Sequence, residues 1–77
     1  MDELFDLVAE ALKIDREGVD AATGPLTESQ WDSFHHVHLV MAVEEKYGVE
    51  LNPQEIISLL SVGDIASLLR SKGVVSV

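Results

Sequence analysis

Three helix-start signatures in close succession constrain this chain more than any other feature of its sequence. Asp32-Ser33, Asn52-Pro53-Gln54-Glu55 and Ser61-Val62-Gly63-Asp64 each set a side-chain acceptor where a first helical turn leaves N–H groups unpaired. The last two carry an acid three residues after the cap, so cap and acid satisfy each other's backbone donors. From Asp32-Ser33 a helix runs to about Tyr47, with Gly48 as its left-handed terminator. Phe34, Val37, Val40, Met41 and Tyr47 form its apolar side, widened by Leu39 and Val43. Val49-Glu50-Leu51 is a short extended link. A helix of about two turns follows, capped by Asn52, with Pro53 at its first position and Ile56, Ile57, Leu59 and Leu60 buried. The last helix opens at Ser61, passes through Ile65, Leu68 and Leu69, and stops near Lys72 before Gly73. Residues 74–77 read as a loose tail.

Ahead of these elements, Leu4, Val8, Ala11 and Leu12 recur at helical spacing, widened by Phe5 and Leu7. Asp2, Glu3 and Asp6 in the first turn and Lys13 in the last suit the helix dipole, which places this helix at about residues 2–13. Residues 14–31 have no sustained period. Gly18, Gly24 and Pro25 punctuate them, and Ile14, Val19, Leu26 and Trp31 are spaced as anchors that pin a loop to a core. A loop of that length in so small a domain signals function. The expected fold is a single all-α domain over residues 1–77. It is a four-helix bundle with three main helices, one short third helix and a long loop between helices 1 and 2.

Composition narrows what such a bundle can do. Fourteen acids against five Lys and Arg leave a net charge of −9, which speaks against nucleic acid and against an anionic membrane surface. No cysteine is present, so there is no disulfide, thiolate nucleophile or Cys-type zinc site. With no apolar run of membrane-spanning length and an acidic start unlike a signal peptide, the expectation is a cytoplasmic monomer. A chain of 77 residues barely encloses a substrate pocket, so it is not expected to be an enzyme. The acids are uneven: between Asp32 and Glu44 there is none, and His35, His36 and His38 stand there instead.

Ser33 is the most informative position. At the start of a helix its hydroxyl serves either as a plain cap or as a carrier of phosphate, which helix N-termini favour. A catalytic serine is disfavoured, because no Gly-x-Ser-x-Gly elbow is present. An Asp32, Ser33, His36 triad fails for want of a pocket and oxyanion donors.

Three segments taken together shift the balance: Trp31-Asp32-Ser33-Phe34, the run from Leu39 to Leu51 containing Glu44-Glu45-Lys46-Tyr47-Gly48, and Val62-Gly63-Asp64. At this spacing, from Leu26 to Leu69, the chain closely resembles the acyl carrier protein family. The resemblance implies that Ser33 carries 4′-phosphopantetheine, transferred from coenzyme A by a phosphopantetheinyl transferase. The arm's thiol would hold acyl or aminoacyl units as thioesters and present them to a loading ligase or transferase and to downstream biosynthetic enzymes. It also implies that Asp32 helps position the transferase's metal ion and the serine, a role compatible with capping.

The sequence departs from the family's commonest pattern at Phe34, usually leucine, at the bulky Trp31, and at the three histidines, where fatty-acid carriers are usually acidic. These departures point to a specialised pathway rather than housekeeping fatty-acid synthesis. Phe34, His35, His38 and Glu45 become candidates for partner recognition. His35 and His38 share a helix face but lack a third ligand, so no metal is expected. Val37, Val40, Met41 and Tyr47 admit two roles, lining a slot for an acyl chain or forming ordinary core. The rival from another class is a small acidic helical interaction module without a prosthetic group. Such a module would need neither the Asp32-Ser33 pair nor the long loop before it.

Overall fold

The computed structural model describes residues 2–77. Four α-helices follow one another: α1 Asp2–Leu12, α2 Ser33–Tyr47, α3 Pro53–Ser58 and α4 Val62–Ser71, with a single 3-10 turn at Arg16–Gly18. No strand occurs among the described residues. α2 packs chiefly on α1, and α1 also meets α4. Leu4, Val8 and Leu12 of α1, Leu39 and Val43 of α2, and Val62, Ile65 and Leu69 of α4 meet in a dry core. Burying each large aliphatic side chain contributes roughly 1.5–3 kcal/mol.

Asp32 accepts from the His35 backbone, and Asn52 and Glu55 form the expected reciprocal capping box. At the start of α4 only half of the expected box forms: Ser61 accepts from the Asp64 N–H, but the Asp64 carboxylate takes the Leu60 N–H instead of that of Ser61. Gly48 ends α2 at φ 65°, a left-handed conformation that costs glycine nothing. α1 stops one residue earlier than its charge pattern suggests. Lys13 lies outside the helix with φ 58°, while the Ile14 N–H returns to the Ala9 carbonyl at 3.0 Å.

Four expectations about burial need correction. On α2 the buried residues are Leu39, Val40 and Val43, whereas Phe34, Val37 and Met41 face solvent. The helix carries two apolar stripes, and α1 covers only one. In α3 and the link after it, Leu59 is buried and Ile56 partly so, but Ile57 and Leu60 are exposed. That helix is held by its cap and by the Lys72–Glu55 ion pair at 3.0 Å more than by burial. Among the loop anchors, Val19 and Trp31 are buried and Ile14 packs on the core, but Leu26 is 90% exposed. Residues 74–77 are tied down: the Val74 N–H bonds the Leu69 carbonyl, the Arg70 side chain bonds the Val77 carbonyl, and Val74 and Val77 pack on the core.

The long loop is ordered by its own polar groups. Asp20 accepts from the backbones of Ala22 and Thr23, and the buried Thr23 hydroxyl donates to the Gly18 carbonyl. The carbonyls of Thr23 and Ala21 then accept from Val62 and Gly63, the first N–H groups of α4, at 2.9 Å each.

Ion pairs on the surface are few and exposed: Arg16 with Asp2 and Asp6, and Lys46 with Glu3. Such pairs contribute about 0–1 kcal/mol each, so repulsion among the surplus acids dominates. Raising ionic strength from low to physiological should therefore raise the melting temperature, measured by circular dichroism. A fall would mean that the ion pairs outweigh the repulsion.

Candidate functional site

The start of α2 is built around Asp32. Its carboxylate takes the His35 backbone N–H at 2.8 Å and, through the same oxygen, the His35 ring Nδ1 at 2.9 Å. Those two bonds, the backbone one foremost, hold the Asp32 carboxyl below its ordinary value of 3.8. The folded value is the lower one, so the contribution is present above the unfolded value and fades as acid takes the pH down through the folded one. The cap is thus intact at neutral pH.

Ser33 is the first helical residue, not the cap. It is exposed, and no hydrogen bond to its hydroxyl occurs among the described residues. That hydroxyl is free for derivatisation.

An open groove of about 490 Å³ runs beside it. Pro25 and Trp31 of the loop, Ser33, His36 and Val37 of α2, and Ile57, Leu59 and Leu60 of α3 and its following link form the walls, with Asp32 at the mouth. The volume lies within the range of small-ligand sites, and the walls are mostly apolar.

Of the four acyl-slot candidates, only Val37 lines this groove. Val40 is buried core, Met41 faces solvent, and Tyr47 lies about 15 Å beyond Val37 along the helix axis, at the rise of an α-helix. The Tyr47 hydroxyl is buried without a partner among the described residues, and burial, reinforced by Glu3, raises its pKa.

The recognition candidates divide. Phe34 is 76% exposed, with the His35 ring edge-on against it at 5.4 Å. His35 is partly covered and bound to Asp32, while His38 and Glu45 project into solvent further along α2. His35 and His38 thus stand in different surroundings, one against Asp32 and the other in solvent. His36, assigned no role from the sequence, joins three elements. Its Nδ1 accepts from the Trp31 indole at 2.8 Å, and its Nε2 lies 2.8 Å from the Ile56 carbonyl. The available signal was its place on the buried stripe, three and four residues before Leu39 and Val40.

A family model described as the phosphopantetheine attachment site matches residues 2–69. The chain belongs to the acyl carrier protein family. It is 35% identical over 72 residues to a protein named acyl carrier protein from Campylobacter curvus, covering 94% of each chain. A protein of the same name from Bdellovibrio bacteriovorus is 35% identical over 68 residues, 88% of this chain and 87% of its own. Another from Thermosynechococcus vestitus is 31% identical over 72 residues, 94% of this chain and 89% of its own. Family membership makes the chain a carrier of phosphopantetheine rather than a catalyst.

The residues present fit that group. An exposed hydroxyl with no competing bond stands at a helix N-terminus, where a phosphodiester is favoured, next to an apolar groove. When attached, the group supplies a thiol on a flexible arm that holds an acyl unit as a thioester. Asp32 fixes the local backbone, and the groove sets mostly apolar walls beside Ser33. No helix among the described residues is long and apolar enough to cross a membrane.

Proposed function

We propose that Ser33 is the attachment point and that the carrier serves a specialised pathway rather than housekeeping fatty-acid synthesis. It works as a cytoplasmic monomer. Its partners are a phosphopantetheinyl transferase, an acyl- or aminoacyl-loading ligase or transferase, and downstream biosynthetic enzymes. The spare, exposed hydroxyl of Ser33 beside the apolar groove carries this reading. The choice of pathway is supported by the face that partners would meet. From Phe34 to Val43 α2 offers no carboxylate, and Phe34, Val37 and Met41 point outward. A partner with an apolar docking surface fits that face better than one with a basic patch.

The test is incubation with coenzyme A and a broad-range transferase, with the modified peptide mapped by mass spectrometry. One added group on the peptide containing Ser33 is expected, and a group elsewhere overturns the assignment. Pathway choice is read with His38→Glu, because His35 is already engaged with Asp32. At low salt this variant should be loaded about two- to threefold faster by a fatty-acid enzyme with a basic docking patch, an advantage that high salt removes. Equal rates at low salt would leave the charge of this face without influence on partner choice.

A further inference from the structure

His36 occupies a position that only one protonation state satisfies. An indole N–H only donates and a backbone carbonyl only accepts. With Trp31 Nε1 on one side and the Ile56 oxygen on the other, Nδ1 must be bare and Nε2 must carry the proton. The ring is thereby a neutral strut between the loop end, α2 and the last turn of α3. The elements it joins are otherwise lightly tied here: no residue within α3 is fully buried. The ring also forms part of the groove wall beside Ser33.

We propose that His36 is a positioning residue whose bare Nδ1 locks Trp31, and with it the chain leading into Ser33, against α2, and that a second proton on the ring releases this lock. With both nitrogens protonated, two N–H donors face each other and the Trp31 bond is lost. The Ile56 bond survives and becomes charge-assisted. Release therefore acts on the loop side of the groove and leaves α3 attached.

The ionisable groups on the packed elements have other partners or lie further off in the chain. In the loop before Trp31, Glu28 takes the Gln30 N–H; Asp32, the cap of α2, and His35 bind each other, and His38, Glu44, Glu45 and Lys46 lie further along α2; α3 brings Glu55, bound to the Asn52 backbone and Lys72; the start of α4 brings Asp64, bound to the Leu60 backbone. None of these is hydrogen-bonded to the His36 ring among the described residues.

The inference rests on the groove beside Ser33 sheltering the arm or its cargo, and the experiment separates the two ideas. Nitrogen-15 histidine spectra of the unmodified protein at neutral pH should show His36 in the Nε2–H form. The Trp31 indole proton should lose its downfield, hydrogen-bonded shift in step with His36 as pH falls. A predominant Nδ1–H form, or an indole resonance that ignores the His36 titration, overturns the proposal.

His36→Gln, with an acceptor and a donor on one planar group, should keep the indole shift while abolishing its pH response. His36→Leu should lose the shift at every pH. Should the leucine variant fail to fold, the wild-type titration and the glutamine rescue still decide. Octanoyl-loaded protein then supplies the second arm, through the rate of thioester cleavage by hydroxylamine. Faster cleavage on release of Trp31 supports both ideas. An unchanged rate with the indole response intact upholds the strut and overturns the sheltering groove.

Discussion

Ser33→Ala should abolish transferase-dependent mass gain and leave thermal unfolding where it is in the wild type. The two halves of that result come from different atoms. Attachment needs the hydroxyl, and alanine has none. Stability of the helix start comes from Asp32, whose carboxylate takes the His35 N–H, while the exposed Ser33 side chain caps nothing. Alanine is a good helix former, so the change should stay within about 0.5 kcal/mol, the range of surface substitutions. Asp32→Ala is the contrasting variant, and it should lower the melting temperature by removing the cap. The measurements are intact mass after incubation with coenzyme A and transferase, and thermal melts followed by circular dichroism. Residual labelling of Ser33→Ala would move the attachment site. A clear fall in its melting temperature would mean that the serine, not the aspartate, secures the helix.

Gly24→Ala should be the most destabilising single-methyl change in the long loop. A Cβ placed there would lie 2.0 Å from the Leu60 carbonyl oxygen, 2.9 Å from its carbon and 3.2 Å from the Ser61 Cα. All three are backbone atoms, so no side chain can swing aside. Relief requires moving the loop off the link between α3 and α4, at the expense of the bonds from Val62 and Gly63 to the loop carbonyls. Overpacking of this severity costs about 3 kcal/mol. For a domain of this size that corresponds to a melting temperature lower by roughly 12–24 °C. Gly18→Ala is the control. Nothing lies within 4 Å of its Cβ position, and its effect should be well below 1 kcal/mol. If Gly24→Ala melts like the wild type, the loop does not sit on Leu60 as described. Because the Leu60 side chain lines the groove, a displaced link should also reshape the surroundings of Ser33.

These two glycines look alike in the sequence, which marks the limit of what it discloses. Caps were legible because their chemistry is local: Asp32, Asn52 with Glu55, and Ser61 each act on a backbone group three residues away. The phase of α2 was not legible. Phe34, Val37 and Met41 are as apolar as Leu39, Val40 and Val43, and only the packing of α1 decides between the stripes. Asp32 and Ser33 are both competent caps, so the dipeptide alone does not say which one leaves its side chain free. His36 was hidden for a further reason. Its partner on α3 is the carbonyl of Ile56, a group every residue possesses and no sequence pattern announces. Likewise the groove takes Ile57 and Leu60, which read as core because nothing local distinguishes an apolar residue that faces a groove from one that faces a helix.

The attachment of the long loop to α4 through main-chain groups alone has an evolutionary consequence. Carbonyls of Ala21 and Thr23 meet N–H groups of Gly63 and Val62, and the identities of the surrounding exposed side chains do not enter. Val37, Ile57 and Leu60 line the groove beside Ser33 from three different segments, yet none of them belongs to the core. Mutational drift at these positions is therefore nearly free of folding cost, and selection there is left to the enzymes the carrier visits. A lineage can exchange clients by rewriting this rim while the scaffold beneath it stays still.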